Sequence, residues 1–346
     1  MGSKNEVNFQ ISVIIMCFNR KKFILNAIKS VLQQTLDRNK YEIIVTKNFR
    51  DTEIDSFILQ NNISTIDEGD VSIGVMMSNA IKMASGRYVC FLDDDDFFYQ
   101  NKLSKVLIET VKDPSITYYH NSFSAVDSDG VTILDFKHRH PNKRYTFGNE
   151  YGNFPIRQVK ALSGDINMSS ISVRRDLLLQ NIQLIKDITG LQDVFLFYLS
   201  VLSRGTMVFD PEVLTGYRIH MSESHSNLAD LDKYSAGARA LLLKYLNSYE
   251  ILLAGSNSRI LELKYEYLTN KCRYQLMVPR KNRILIKREL FFLLIHFRLS
   301  DDYKNQIALV ILGLLYHLMP ERIAKLYVQR KMIIDRSSYS KVDPGL

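Results

Sequence analysis

The first hundred residues alternate between short apolar runs and amphipathic segments. Runs rich in β-branched and aromatic residues predict strands over 10–18, 41–46, 63–66 and 88–92. Between them, apolar residues recur every three or four positions, which predicts helices over 23–34, 51–61 and 74–84. The last helix is expected to close at Gly86, because glycine is common just after a helix. This alternation predicts an α/β fold, a Rossmann-like, mostly parallel sheet flanked by helices.

Four consecutive aspartates, residues 93–96, follow the predicted strand over 88–92. Neighbouring carboxylates repel by about 1 kcal/mol per pair in water, and by several times more in a partly dry cleft. A divalent cation would turn this repulsion into attraction, and oxygen ligands suit Mg²⁺ or Mn²⁺ better than zinc. Two other interpretations stay open: a solvated acidic turn, or a helix start at which aspartates offset the helix dipole.

Several short motifs lie at the ends of the predicted elements. They are Ile11-Ser12-Val13-Ile14-Ile15, Phe18-Asn19-Arg20, Ser30-Val31 with Gln33-Gln34-Thr35, Ala84-Ser85-Gly86-Arg87-Tyr88, and Phe91-Leu92 before the aspartates. With these motifs, residues 10–225 resemble family 2 of the inverting nucleotide-sugar glycosyltransferases. The resemblance implies a GT-A fold and a nucleoside-diphosphate sugar as donor, with UDP-sugars favoured. It also implies that the acceptor is a hydroxyl of a glycan.

The resemblance assigns roles to the acidic strand end. Asp93-Asp94-Asp95 matches the D-x-D element of the family, with Asp96 beside it. Asp95 is expected to bind the Mn²⁺ or Mg²⁺ that bridges the nucleotide diphosphate, and Asp93 to face the ribose or a metal-bound water. His220 is a further candidate for the metal or the diphosphate, although a histidine in a surface loop explains it equally well.

The nucleotide is expected at the carboxyl ends of the first two strands. Phe18 could stack on the base or be an ordinary core aromatic, while Asn19 and Arg20 could donate to the base or the phosphates. After the second strand the family commonly has an acidic run, which is replaced here by residues 46–51, Thr-Lys-Asn-Phe-Arg-Asp. Asp51 or Asn48 would then read the base. Asn79 stands near the place where the family often has an Arg-Asn pair.

One carboxylate is a candidate for the general base. Gln192-Asp193 matches the Glu-Asp element of the family, so the resemblance assigns Asp193 to take the proton from the acceptor hydroxyl. A positioned carboxylate contributes roughly 10²–10⁴-fold to such a step. Aspartate at a helix start is also a usual N-cap, and that role is compatible with the first. Asp165 is a weaker candidate on the expected acceptor side.

The excess positive charge lies near the C-terminal end. Residues 257–346 hold 17 Lys/Arg against 8 Asp/Glu, whereas the rest of the chain holds 28 against 29. Two apolar blocks, 284–299 and 307–319, lie among these basic residues, and both are shorter than the roughly 20 residues of a spanning helix. The pattern favours a segment on an anionic membrane surface. A soluble helical subdomain packed on the core or on a second copy of the chain is the alternative.

Composition limits the remaining classes of function. Nucleic-acid binding would explain the net charge of +8 but neither the apolar blocks nor the aspartates. Three scattered cysteines indicate no disulfide framework, and the polar first residues lack an apolar signal core. The expected location is therefore cytoplasmic, peripheral on the cytoplasmic face of the membrane.

The sequence predicts three regions and one main function. Residues 1–100 would bind the nucleotide sugar, 101–228 would bind the acceptor, and 229–346 would form a basic, apolar helical region. The predicted function is a metal-dependent inverting glycosyltransferase acting on a glycan acceptor, including a lipid-linked one. A nucleotidyltransferase acting on sugar phosphates and a non-catalytic membrane-associated scaffold are the alternatives, and a homo-oligomer is compatible with all three.

Overall fold

The computed structural model describes residues 9–133, 140–148, 155–219, 230–255, 260–278, 285–300 and 303–339. The chain divides into two compact units. The first, called the sheet unit, comprises Met1–Ile188 and Gln192–Arg218, and the second, the helical unit, comprises Thr189–Leu191 and Ile219–Leu346. The predicted boundary at residue 100 falls inside the sheet unit, because strands from both sides of it belong to one sheet. The predicted boundary at residue 228 lies nine residues after Ile219, where the long segment of the helical unit begins.

The sheet unit is built on one mixed sheet of nine strands. The strands are β1 Ile11–Cys17, β2 Tyr41–Lys47, β3 Ser64–Asp67, β4 Tyr88–Asp93, β5 Phe97–Phe98, β6 Ile116–Val126, β7 Tyr145–Phe147, β8 Ile171–Arg174 and β9 Thr206–Arg218. Their spatial order is β3-β2-β1-β4-β8-β6-β9-β5, and β7 pairs with β9. The first four strands pair in parallel, whereas β8 is antiparallel to both β4 and β6.

Helices cover this sheet. They are α1 Ile24–Leu32, α2 Thr52–Gln60, α3 Ile73–Met83, α4 Lys102–Lys112, α5 Ile156–Ala161, α6 Arg175–Gln180, α7 Ile182–Asp187 and α8 Gln192–Leu202. Helix α1 buries Ile24, Ala27, Ile28 and Val31, the helical spacing that predicted it. All seven elements predicted for the first hundred residues are present, each bound lying within two residues of its prediction. The α/β fold class is confirmed.

The expectation that α3 closes at Gly86 is wrong. The helix ends at Met83 and is followed by Ala84 as its C-cap. At Gly86 an added Cβ would lie 2.5 Å from backbone atoms of Ile11 and Ser12, so no larger residue fits there without a backbone shift. Glycine is required because the chain passes close to β1, and the N–H of Gly86 donates to Ser12 Oγ at 2.8 Å.

Parallel pairing brings the polar strand ends to one edge of the sheet. In the register, Met16 of β1 lies beside Asp93 of β4, and Cys17 lies beside Lys47 of β2. Antiparallel β8 enters from the same edge, because the 3₁₀ turn Met168–Ser170 precedes it. The ends of β1, β2 and β4 therefore share an edge with this turn, which is the edge where ligands bind in open α/β sheets.

The helical unit has its own apolar core. Its helices are α9 Leu231–Gly255, α10 Leu261–Leu276, α11 Lys287–Ile295, α12 Tyr303–Tyr316 and α13 Pro320–Tyr339. The core is formed mainly by residues of α10, α11, α12 and α13. The two apolar blocks predicted from the sequence contribute α11, the 3₁₀ turn Phe297–Leu299 and α12. Among the residues described, no helix has the length and apolar character needed to cross a bilayer.

Candidate active site

Three of the four consecutive aspartates at the end of β4 converge. Asp93 is the last residue of β4, and one carboxylate oxygen each of Asp93, Asp95 and Asp96 lies within 4.8 Å of the others. Opposite ligands of an octahedral ion with bonds of about 2.1 Å lie about 4.2 Å apart. Small side-chain movements would therefore let these oxygens meet on one Mg²⁺ or Mn²⁺, and the residues present fit such an ion.

Ser169 fixes the position of two of these aspartates. Its hydroxyl donates to Asp96 Oδ2 at 2.6 Å and accepts the backbone N–H of Asp93 at 3.0 Å. The other oxygen of Asp96 accepts the backbone N–H of Arg218 at 2.8 Å. Asp96 is 1% exposed, so it is the most rigidly held of the converging carboxylates.

Two arginines offset the negative charge. The Arg20 guanidinium bridges the carboxylates of Asp94 and Asp95. The Arg218 side chain donates from Nε to the carbonyl oxygen of Asp95 at 2.8 Å, and its Nη1 donates to backbone carbonyls of Asp127 and Ser128. The repulsion that the sequence attributes to the aspartates is therefore partly balanced by the protein itself.

The carboxylates nevertheless retain protons more strongly than usual. Burial raises the pKa of Asp93 to about 8, and the charge of Asp95 adds to the shift. Burial also raises the pKa of Asp94 to about 7, against the opposing effect of Arg20. Burial would lower the pKa of the Arg20 guanidinium, but Asp95 and Asp94 raise it above its usual value. The site thus has a deficit of positive charge that a bound cation would relieve.

The predicted base-binding residues lie at the ends of β1 and β2. Asn19 has a positive φ of 58°, and its backbone N–H donates to Asn48 Oδ1 at 2.8 Å. Asn48 Nδ2 donates in return to Asn19 Oδ1 at 2.8 Å. Phe18 is half-buried beside them. The structure therefore brings Phe18, Asn19, Arg20 and Asn48 to the edge that carries the aspartates.

The other two predicted nucleotide-binding residues have local partners. Asp51 is the N-cap of α2, where it accepts the N–H of Ile54 at 3.3 Å, and Lys21 Nζ lies 3.4 Å from it. Asn79 Nδ2 donates to both carboxylate oxygens of Glu68, at 3.0 and 3.3 Å. Each contact gives the residue a structural role, which leaves its predicted role in binding the base a prediction.

Lys47 and Asp67 are polar residues at this edge that the sequence analysis passed over. Lys47 ends β2 with 1% of its side chain exposed, pairs with Asp67 at the end of β3, and lies 2.9 Å from Asp55. Its charge occupies the place of the acidic run expected in the family. The sequence did contain a signal for Asp67, because this residue directly follows a predicted strand, as the other predicted site residues do.

Asp193 lies in the first turn of α8. Since α8 begins at Gln192, Asp193 is inside the helix rather than before it. Its Oδ1 accepts the N–H of Val194 at 2.8 Å, and its Oδ2 accepts the N–H of Asn167 at 3.1 Å. Burial raises the pKa of Asp193 to about 6; these N–H groups oppose the shift and Asp165 adds to it. Such a carboxylate is ionised at neutral pH and can accept a proton.

Tyr217 is a central residue that sequence reasoning missed as a functional candidate. It lies near the end of β9, and its ring meets the ring of Phe123 edge-on at 5.4 Å. Burial raises the pKa of its hydroxyl, and four carboxylates raise it further: Asp96, Asp95, Asp193 and Asp93. The neutral phenol therefore lies within electrostatic range of the acidic groups of the site. The sequence signal for it was the stretch Gly216-Tyr217-Arg218-Ile219-His220, a weaker match to the family in which Tyr217 was assigned no role.

Two further candidates complete the comparison with the sequence. Asp165 is 4% exposed and pairs with Lys160, so its charge is already compensated. His220 lies outside the described residues. The structure thus brings together Asp93, Asp95 and Arg20 directly, and it links Asp193 to Ser169 through Asn167, whose Oδ1 accepts the N–H of Ser169 at 3.1 Å.

Comparison with known proteins identifies the domain. Residues 12–178 match the model of glycosyl transferase family 2. An uncharacterized glycosyltransferase of Rickettsia bellii is 29% identical over 125 residues, which are 35% of this chain and 18% of the relative. UDP-Glc:alpha-D-GlcNAc-diphosphoundecaprenol beta-1,3-glucosyltransferase WfgD of Escherichia coli is 25% identical over 128 residues, 36% of this chain and 49% of the relative. The chain thus matches less than half of either relative.

A solved structure has the same fold. S. aureus TarS 1-349 in complex with UDP-GlcNAc superposes with a TM-score of 0.53 at 14% identity, covering 87% of this chain and 90% of TarS 1-349. At this identity the likeness concerns the fold alone. Residues 12–178 therefore form a glycosyltransferase domain of family 2, within a chain that has the GT-A type of fold.

Proposed function

We propose that the protein is a metal-dependent inverting glycosyltransferase. It moves a sugar from a nucleoside-diphosphate donor, with a UDP-sugar favoured, to a hydroxyl of a glycan. The names of the relatives support the donor class, since WfgD uses UDP-Glc and TarS was crystallised with UDP-GlcNAc. Inversion is the expectation that goes with family 2.

One observation carries the proposal. A short chain of hydrogen bonds joins the candidate base to the acidic cluster: Asp193 accepts from Asn167, Asn167 accepts from Ser169, and Ser169 donates to Asp96. A transferase needs a general base and a leaving-group site fixed relative to each other, because the hydroxyl that the base deprotonates attacks the same anomeric carbon from which the leaving group departs. A metal site without catalysis would need no such link.

The acidic cluster suits the leaving group. Asp93 and Asp95 would hold the divalent ion, with Asp96 as a third oxygen donor. When bound, the ion would supply Lewis-acid stabilisation of the charge that develops on the departing diphosphate. The nucleobase of the donor would lie towards Phe18 and Asn48, at the neighbouring strand ends.

Arg20 has a role on both sides of this step. In the free protein its guanidinium bridges Asp94 and Asp95, and Asp95 is one of the proposed ligands of the divalent ion. Arg20 would then release Asp95 and donate its planar N–H fork to the phosphate oxygens of the donor. The acidic cluster would thus remain compensated both with and without substrate.

Asp193 would act on the acceptor. The acceptor oxygen attacks the anomeric carbon, the bond from that carbon to the phosphate oxygen breaks, and the proton of the hydroxyl passes to an Asp193 oxygen. The two N–H groups that hold Asp193 keep the carboxylate aimed and ionised. Tyr217 would stay neutral and donate a hydrogen bond from its phenolic O–H within the site.

A lipid-linked acceptor and a membrane surface are the finer part of the proposal. The name of WfgD gives its acceptor as a sugar on diphosphoundecaprenol. On the helical unit, α11 exposes apolar residues, with Phe291 62% and Ile295 53% exposed, next to exposed Lys287 and Arg288. Apolar and basic side chains on one short helix suit the cytoplasmic face of an anionic membrane.

The test is a donor panel with a defined acceptor. UDP- and GDP-sugars are incubated with Mn²⁺ and a synthetic lipid-diphosphate glycan, and products are followed by NMR. We expect one donor to be consumed, with release of its nucleoside diphosphate and inversion at the anomeric carbon. Asp193→Asn should lose the activity, while Asp187→Asn, on the exposed side of α7, should keep it.

Other results of the same panel support the alternatives. Release of pyrophosphate would identify a nucleotidyltransferase. Metal binding without turnover of any donor would support a non-catalytic scaffold. Retention of the anomeric configuration would contradict the inverting mechanism while leaving transfer intact.

A further inference from the structure

A second polar pocket lies at the opposite edge of the sheet. Its volume is about 360 Å³, and its lining includes Arg87, Arg174 and Arg175. Arg87 directly precedes β4, and Arg174 pairs with Tyr88 at the start of that strand. Asp93 is five residues further along β4, so the pocket lies about 17 Å from the acidic cluster at about 3.3 Å per residue. A donor diphosphate bound at Asp93 would not reach it.

The pocket carries an excess of positive charge. Among the described residues that line it, the acidic one is Asp176, which accepts from Arg174 Nε at 2.7 Å and from the N–H of Leu177 at 2.7 Å. Glu42, which contacts the lining residues Ser85 and Gly86, is engaged by them and by Ser12. Three guanidinium groups therefore face one paired carboxylate.

Two of these guanidinium groups lack an acceptor. Within the part of the chain that is described, the side chains of Arg87 and Arg175 make no hydrogen bond or ion pair. Arg87 is exposed, with its guanidinium 5.9 Å from the centre of the Tyr88 ring, whereas Arg175 Nε is buried without a partner. A buried donor left unsatisfied costs about 1–3 kcal/mol. The arrangement is also held in place, since the backbone N–H of Arg175 donates to the carbonyl of Arg87 at 2.9 Å.

The chemistry of the pocket selects its ligand. Guanidinium forks match tetrahedral oxyanions, to which they donate two parallel hydrogen bonds. A neutral sugar would leave the excess charge uncompensated, and a cation would be repelled. We propose that this pocket is a second binding site, separate from the donor site, for a phosphate-type oxyanion. The phosphate belongs either to a soluble phosphate ester or to a lipid headgroup.

Titration with inorganic phosphate tests the site itself. The full-length protein is kept in EDTA at constant ionic strength, and binding is followed by isothermal titration calorimetry. We expect saturable binding at one site, weakened at least tenfold in the double variant Arg87→Gln/Arg175→Gln. The control Lys112→Gln/Arg204→Gln removes the same charge from exposed positions and should bind phosphate as the wild type does. Equal binding by all three proteins, or no saturable binding by the wild type, would overturn the proposal.

Two further measurements make the result specific. UDP binding with Mn²⁺ should be unchanged in the double variant, which separates loss of this pocket from misfolding and from failure of the donor site. Co-sedimentation with vesicles of phosphatidylcholine, with and without phosphatidylglycerol, then distinguishes the sources. If the double variant no longer binds the anionic vesicles while the wild type and the control variant still do, the ligand is a lipid headgroup. If the double variant binds the vesicles as the wild type does, the ligand is a soluble phosphate ester.

Discussion

Asp93, Asp94, Asp95 and Asp96 have the same side chain but different surroundings. Asp96 is buried and fixed by Ser169, Asp94 is tied to Arg20, and Asp93 and Asp95 offer oxygens towards one point. Their clustering is visible in the sequence because the residues are consecutive. The pairing with Arg20 is not, because it depends on a contact between residues 74 and 75 positions apart.

Replacement of Asp193, the proposed general base, should affect turnover more than donor binding. We expect Asp193→Asn to lower kcat by roughly 10²–10⁴-fold, because the amide cannot take the acceptor proton. The KM for the donor should change little, since Asp193 is assigned to the acceptor. Steady-state kinetics with both substrates measure this. A variant that retains wild-type kcat would remove Asp193 from the mechanism.

The rate should depend on pH through the same residue. Burial raises the pKa of Asp193 to about 6, and the base must be ionised to accept a proton. The value of kcat for the wild type should therefore be level above pH 6 and fall about tenfold per pH unit below it. The profile is recorded with saturating donor, Mn²⁺ and acceptor. The residual activity of Asp193→Asn should lack this acid limb, and its presence there would assign the limb to another group.

Arg20 should compete with the divalent ion in the free protein. Its guanidinium occupies Asp95, so Arg20→Ala should bind Mn²⁺ at least tenfold more tightly in the absence of nucleotide. With UDP present the advantage should shrink, because the wild type then uses Arg20 on the phosphates. Electron paramagnetic resonance of free Mn²⁺ measures both cases. Lys22→Ala, at an exposed neighbouring position, serves as the control, and equal affinities without UDP would contradict the competition.

At the scale of elements, local pattern and long-range pairing differ in how well they can be predicted. The strands and helices up to β4 follow from apolar periodicity, since β1 is buried along its whole length and α1 along one face. Ser169, Tyr217 and Arg218 reach the site only through the pairing of β8 and β9 with strands distant in sequence. Periodicity carries no information on that pairing, so these residues were not assigned.

Lys102 illustrates an element held by a buried charge. It starts α4 with 0% exposure, and its Nζ donates to Asn121 Oδ1 and to the carbonyl of Ser169 at 3.3 Å. Burial lowers the pKa of Lys102 to about 8. Both hydrogen-bond partners are neutral, and among the described residues the charge of Asp210 offsets the effect of burial only in part. The turn that carries Ser169 is thus hydrogen-bonded to a titratable group.

The contribution of Lys102 to stability should therefore rise with pH above 8. A base whose pKa is lowered on folding loses its proton more easily in the folded state, so the unfolded state binds more protons between the two values. From pH 8 to 9.5 this contributes about 2 kcal/mol to the free energy of unfolding. Urea denaturation at several pH values measures the slope. Lys102→Met should lack this contribution, and an equal slope in the variant would refute it.

At the scale of the whole molecule, the excess of positive over negative charge lies in one region. Residues 257–346 carry 17 Lys/Arg against 8 Asp/Glu, and they include the exposed apolar residues of α11 and α12. Composition predicted helices there, and the helical unit has them. Which surface these helices meet depends on a partner, so the sequence leaves a membrane and a second copy of the chain as alternatives.

Vesicle binding separates these two partners. The wild type should co-sediment with vesicles that contain phosphatidylglycerol and be released as salt is raised, because the attraction is partly electrostatic. Phe291→Ser/Ile295→Ser should weaken binding, while Leu59→Ser/Val111→Ser, which removes exposed apolar residues of the sheet unit, should not. Dimers in solution without vesicle binding would favour the second copy.

The most direct test of the central claim is titration with nucleoside diphosphates. UDP, GDP, TDP and CDP are added with and without Mn²⁺ while thermal unfolding is followed in the wild type and in Asp95→Asn. We predict stabilisation by one diphosphate, UDP, that requires Mn²⁺ and is lost in the variant. At 100 times its Kd the ligand adds about 2.7 kcal/mol. Stabilisation that is independent of Mn²⁺, or retained by Asp95→Asn, would contradict a metal-held diphosphate at the end of β4.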